Sequence, residues 1–185
     1  MGAVTPEWLA GFFDGEGTVD IRLRKTHGGR YMRFELRAQI VQRDRKPLER
    51  IQAIYGGCIT GRRVSALVLT GSGALKFLRV IAPHSICKAD QIAIAIEFQE
   101  RVQDPAARMT GSARRGFAGL SQAEMDARLA LHRQLRNVRD ESGLRPKARN
   151  HSIQAEAAIY AVSRDGKAIP DNCGAQASGE NRGLH

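Results

Sequence analysis

Two acids close a run that is otherwise small and apolar: LAGFFDGEG, Leu9 to Gly17, where Asp14 and Glu16 stand among three glycines. A carboxylate near a helix C-terminus opposes the macrodipole, and each glycine costs a helix about 1 kcal/mol relative to alanine. Such a composition makes sense if the small residues serve close packing and the acid serves chemistry. Residues four apart share a helix face, so Ala10 and Asp14 form one stripe and Gly11 and Gly15 another. A small-residue surface of this kind lets a second helix approach closely. The run occurs once, so the second helix must come from a second copy of the chain, and the two Glu16 carboxylates then converge at the end of the seam. Converging carboxylates repel unless one is protonated or a cation sits between them. Hard divalent ions such as Mg2+ or Mn2+ suit a few carboxylates completed by substrate phosphates. The plainer reading of the same residues is a helix cap with solvated acids.

A second set of reactive groups alternates along the chain directly after this run. From Thr18 the period becomes two, with Val19, Ile21 and Leu23 apolar and Asp20, Arg22 and Arg24 polar, the pattern of a half-buried strand. His27-Gly28-Gly29 reads as a turn, and Arg30 to Gln42 as the next strand. Met32, Phe34, Leu36, Ala38 and Ile40 share its apolar face; Tyr31, Arg33, Glu35, Arg37 and Gln39 share the other. Side chains on one strand face recur about every 6.7 Å, roughly two base-pair steps. Arginine suits guanine and phosphate, Gln39 suits adenine and Glu35 suits cytosine. Thr60 and Arg62 on a second hairpin extend the set. Any one of these arginines alone reads as a solvated strand face; together they call for an anionic partner.

The elements that must position these groups follow from caps and periodicity. Thr5-Pro6-Glu7 opens a helix expected to run to about Asp14, which places Glu16 just past its last turn. Asp44 opens a helix with Leu48, Ile51 and Ile54 at helical spacing, closed by Tyr55-Gly56-Gly57. Cys58 to Thr60 and Val64 to Thr70 form the second hairpin. Ser72 to Ile81 and Lys88 to Val102 read as helices separated by Pro83. The order α-β-β-α-β-β-α-α predicts an α+β fold with both hairpins in one four-stranded antiparallel sheet. Residues 1–103 form that core, and 104–143 a C-terminal helical extension. In the extension, Asp104 to Gly119 has loop composition. Ser121-Gln122-Ala123-Glu124 is a capping box opening a basic helix to about Glu141, with Met125, Leu129 and Leu135 inward. Residues 144–185 are polar and glycine-rich, a loosely held tail with a short helix near Gln154 to Val162.

Composition bounds the partners. The chain has 185 residues, a net charge of +10 and a sequence pI of about 10.2, a balance that favours a polyanion. No run is apolar enough to span a bilayer. The cysteines Cys58, Cys87 and Cys173 are odd in number and form no C-x-x-C pair, so a disulfide framework or zinc site is not expected. With no basic stretch leading into an apolar segment, the reading is an intracellular protein, in a prokaryotic cytoplasm or an organelle.

The ordered set of cap, small-residue stripe, acid and charged alternating strand resembles the LAGLIDADG homing endonuclease family. LAGFFDGEG matches the name motif as Leu-Ala-Gly-x-x-Asp-Gly-Glu-Gly, with Glu16 where aspartate is commoner, and the resemblance covers about residues 5–103. One motif points to the homodimeric branch. The resemblance implies hydrolysis of both strands of a long, near-palindromic double-stranded DNA target across the minor groove, leaving short 3′ overhangs. It implies that Glu16 and the backbone carbonyl of Gly15 bind divalent metal, and that Gln42, Lys46 and Lys88 are the supporting catalytic residues. Arg43 and Arg45 compete with Lys46 for its role. Two other readings use the same scaffold: an RNA-binding maturase that assists intron splicing, and a non-cutting DNA-binding regulator.

Overall fold

The computed structural model describes residues 4–25, 32–108 and 122–141. Helix α1 (Pro6–Glu16) starts where the cap signal places it: the Thr5 hydroxyl accepts the Trp8 amide at 3.3 Å, and Pro6 occupies the first turn, where its missing N–H costs nothing. It ends two residues later than expected, so Glu16 is the last helical residue. The cause lies at Gly17. Its backbone N–H closes the helix on the Phe13 carbonyl, and the chain leaves extended at φ −89°, ψ 159°. A Cβ on Gly17 would press into the Phe13 ring and lie 2.5 Å from the Phe13 carbonyl oxygen, so only glycine lets the helix pass straight into a strand. Gly17→Ala should therefore lower stability by about 2 kcal/mol through overpacking, read as a lower urea midpoint at unchanged slope.

Strand β1 (Gly17–Lys25) pairs antiparallel with β2 (Met32–Gln42), from Gly17 opposite Ile40 to Lys25 opposite Met32. The turn at His27 and the first residues expected of β2, Arg30 and Tyr31, lie outside the described residues. Helix α2 (Arg45–Tyr55) is capped by Asp44, whose carboxylate accepts the Lys46 amide at 3.0 Å. It closes at Gly56, whose φ of 75° suits glycine. Strand β3 (Cys58–Thr60) and β4 (Ser65–Thr70) complete one sheet of order β1-β2-β4-β3. Helices α3 (Gly71–Ile81) and α4 (Ala89–Gln103) follow. A short helix α5 (Pro105–Arg108) occupies part of the span expected as loop; Asp104 caps it by accepting the Ala106 amide at 2.9 Å.

Alternation decides which face of the sheet is covered. Val19, Ile21, Phe34, Leu36, Ala38, Ile40, Leu67 and Leu69 point to one side and are buried with Leu9 and Phe13 of α1, Leu48 and Ile51 of α2, Phe77 and Leu78 of α3, and Ile92 and Phe98 of α4. Phe77 is the hub, meeting Phe13 and Tyr55 edge-on at centroid distances of 5.4 and 5.3 Å. Helix α6 (Gln122–Glu141) packs on α4 and reaches β1, all within residues 1–145. Leu131 and Leu135 are buried, with Met125 and Leu129 packed beside them. A buried Glu124 fastens the pair, accepting from Arg128 of its own helix at 2.7 Å and from Arg101 of α4 at 2.9 Å. The helix expected near Gln154 lies outside the described residues.

Candidate active site and sheet surface

Glu16 is exposed at the C-terminal end of α1, immediately before β1. Because Gly17 pairs with Ile40, the end of α1 meets the end of β2, and Gln42 stands two residues beyond that pair, at the same end of the sheet. The Gln42 side-chain carbonyl accepts the Arg43 amide at 2.7 Å. That bond assigns the oxygen and makes the side-chain nitrogen the donor available to water or a phosphate.

Lys88 arrives from the turn between α3 and α4. It is the residue before α4, only 5% exposed, and caps nothing in its own helix. Its ammonium donates instead to the backbone carbonyl of Asp14, in the last turn of α1. Helix ends leave their last carbonyls without intrahelical partners, and a cation there also meets the negative pole of the dipole. Burial pulls the Lys88 ammonium below the ordinary lysine range, offset only partly by the neighbouring Asp14 carboxylate. Its bond to the Asp14 carbonyl ties Lys88 to the turn of α1 that ends in Glu16.

The Asp14 side chain is fully engaged. Its carboxylate accepts the Ser85 hydroxyl at 2.5 Å, the Ile86 amide at 2.8 Å and the Cys87 amide at 3.0 Å. Burial pushes this carboxyl up, but those three hydrogen bonds and the neighbouring Lys88 outweigh it and hold it below the usual aspartate range. This corrects the expected seam. Ala10 is 0% exposed within the core of a single chain, and Asp14 faces the α3–α4 turn, so neither presents a surface to a second helix. Gly11 and Gly15 are both exposed, and a Cβ on either would meet nothing within 4 Å. Trp8, 43% exposed, stacks on Phe12 with ring centroids 4.9 Å apart along the same helix. The open stripe of α1 is Gly11 and Gly15 beside this aromatic pair.

On the side of the sheet opposite the helices, the register sets residues in rows. Arg24 stands opposite Arg33, Arg22 opposite Glu35, Asp20 opposite Arg37 and Thr18 opposite Gln39, with Arg37 also opposite Thr70 of β4. Thr60 pairs with Ala66 at the far edge, and Arg62 follows in the exposed turn. The side chains of Arg24 and Arg33 lie outside those described. Asp20 is held by two arginines, Arg22 at 3.6 Å and Arg139 of α6 at 3.4 Å. An acid on a basic surface is thereby neutralised from within the chain. Lys46 is exposed on the first turn of α2.

Sequence reasoning missed Ser85 and Arg139. Their partners, Asp14 and Asp20, lie 71 and 119 residues away, and nothing local marks either residue.

An acid at the end of a packed helix, a buried lysine tied to that helix and an arginine-bearing sheet stand together on one α+β scaffold. Residues 9–84 match the LAGLIDADG endonuclease family, and over that span the chain is similar to it. No curated protein matches the chain in sequence. Among solved structures, the chain is similar to the homing endonuclease I-CvuI in complex with its target in the presence of calcium, with 16% identity, a TM-score of 0.63, and coverage of 89% of this chain and 96% of that one. It is also similar to the archaeal intron-encoded homing endonuclease I-Vdi141I complexed with DNA, at 17% identity, a TM-score of 0.60, and coverage of 83% and 92%. For the homing endonuclease I-TnaI the values are 16%, 0.55, and 76% and 99%. These similarities establish the fold: an α-β-β-α-β-β-α core with a four-stranded antiparallel sheet.

Proposed function

We propose that this chain is a site-specific double-strand DNA endonuclease that works as a homodimer and hydrolyses phosphodiester bonds across the minor groove with a divalent metal. The observation that carries the reading is Glu16, exposed at the end of α1, with buried Lys88 bonded to the Asp14 carbonyl two residues before it and Gln42 at the same end of the sheet. Among the described residues no group of three or more acids, histidines or cysteines gathers to hold a metal. A lone exposed carboxylate fits a shared site, in which Glu16 and the Gly15 carbonyl from each of two chains are completed by phosphate oxygens. When bound there, Mg2+ or Mn2+ would offset charge on the phosphate and make a water acidic enough to attack at neutral pH.

The chain's own groups do the rest. Lys88 is held by α1 where it can stabilise negative charge developing on the phosphate oxygens, and its partial desolvation strengthens that interaction. Gln42 offers an amide donor to orient the attacking water. Arg22, Glu35, Arg37 and Gln39, half-buried on the polar side of the sheet, are the set we assign to target contact, with Arg24, Arg33, Thr60 and Arg62; Lys46, exposed on the first turn of α2, we assign to the DNA backbone. The Asp20 carboxylate orients Arg22 more than it contacts bases, because two arginines already occupy it. Among the described residues no helix is long and apolar enough to cross a membrane.

The direct test uses DNA spanning the insertion point of the element that carries this chain's own gene, with the element removed. Protein plus Mg2+ should cut both strands and leave short 3′ overhangs, and chelation should stop cutting while binding in Ca2+ persists. Intact DNA with both Mg2+ and Mn2+ would defeat the proposal.

A further inference from the structure

Four consecutive residues of the α3–α4 turn are docked on a single residue of the motif helix. Ser85, Ile86 and Cys87 all donate to the Asp14 carboxylate, at 2.5, 2.8 and 3.0 Å, and Lys88 donates to the Asp14 backbone carbonyl. The partners are 71 to 74 residues apart in the chain, so no local preference brings them together. Ile86 itself is 87% exposed, which means that the turn is not held in place by burial of its own apolar side chain. What holds it is polar. A carboxylate that accepts two adjacent backbone amides and a hydroxyl fixes the course of that backbone, because each bond constrains a different residue.

From this we infer that Asp14, the first acid of the motif, is a positioning residue for Lys88. It aims the ammonium at the end of α1 beside Glu16 by anchoring the three residues that precede it. The inference rests on the proposed nuclease function, in which Lys88 acts on the scissile phosphate. It gives the two acids of the motif separate tasks: Glu16 faces outward to the metal, and Asp14 faces inward to the turn. A lysine on a mobile turn would still be near the phosphate on average. Small misplacement of a catalytic group nevertheless costs rate steeply, so anchoring matters to the chemical step and not to DNA affinity.

The test is a double-mutant cycle with Asp14→Asn and Lys88→Ala, read in single-turnover cleavage with saturating protein and in DNA binding with Ca2+. Asparagine keeps the size of the side chain but removes the charge and one of its two acceptor oxygens. Asp14→Asn should slow cleavage about 10- to 100-fold with binding unchanged. The double variant should cut no more slowly than Lys88→Ala alone, since an anchor has no further effect once its cargo is gone. Losses that multiply would overturn the inference and leave the nuclease function standing. A Lys88→Ala protein that cuts at the wild-type rate would overturn the role of Lys88 as well. Amide hydrogen exchange, which needs no DNA and no cutting, reads the anchoring directly. The Ile86 and Cys87 amides should exchange about tenfold faster or more in Asp14→Asn, with core amides of β2 unchanged, and equal rates would refute the anchor. Ser85→Ala, which removes one bond of the three, should move both readouts in the same direction by less; if Asp14→Asn fails to fold, this variant decides the matter alone.

Discussion

Glu16→Gln should leave a folded protein that binds its DNA target as the wild type does and cuts it at least about 10³-fold more slowly. The side chain is exposed at the last position of α1 and no shape-dependent packing depends on it, so neither the core nor the sheet surface should change. What changes is charge. Glutamine keeps the oxygen but loses the anion that a divalent cation requires, and the electrostatic stabilisation of a phosphoryl transition state by a metal is worth several kcal/mol, with each 1.36 kcal/mol a factor of ten. Binding measured in Ca2+ by gel shift, next to cleavage in Mg2+, separates the outcomes. Cleavage within a few-fold of wild type would remove Glu16 from the metal site. Loss of both binding and cleavage, with an altered melting profile, would instead show a folding defect.

Gly11→Arg should give a stable monomer without nuclease activity. The position is exposed, a Cβ there meets nothing within 4 Å, and arginine is a better helix former than glycine, so a single chain has no reason to unfold. Across a helix pair related by a two-fold axis the same substitution sets two long cations into a seam that only small residues allow, beside the stacked Trp8 and Phe12. Light scattering should report the mass of one chain where the wild type reports two. Double-strand cleavage should fall at least about 100-fold, because in the proposed homodimer each chain brings one Glu16 to a shared site. The Gly15→Arg variant should behave alike. A Gly11→Arg protein that remains dimeric would move the interface off α1, and an active monomer would remove the need for a shared site.

Much of the fold was legible because its signals are local. Thr5 and Asp44 cap helices through bonds spanning two or three residues, and the odd-even alternation of Val19 to Leu23 and Phe34 to Ile40 sets their faces without reference to anything distant. The joining of both hairpins in one sheet and the burial of Leu135 followed from the same reasoning plus compactness, whereas the strand order and the burial of Leu131 came from the structure. The end of α1 was misjudged because glycines at positions 15 and 17 look alike in sequence. Gly15 continues the helix into open space, whereas Gly17 ends it against Phe13, and only the packed ring distinguishes them.

The division at the candidate site has the same origin. By itself the sequence determined that an acid would end a small-residue helix, that a charged strand would follow, and that Lys88 would stand at the start of a helix. These are consequences of spacing, since helical and strand periods place residues on faces whatever surrounds them. It left open which stripe of α1 turns inward. Ala10 and Asp14 were expected on the same outward seam as Gly11 and Gly15, and the tertiary structure put them on opposite sides, one pair in the core and against residues 85–88, the other in the open. The same holds for Asp20, expected to face DNA and found in the grasp of Arg139, 119 residues further along the chain. Partners so distant in sequence are chosen by how the helices close over the sheet, a property of the whole chain that no window of neighbouring residues contains.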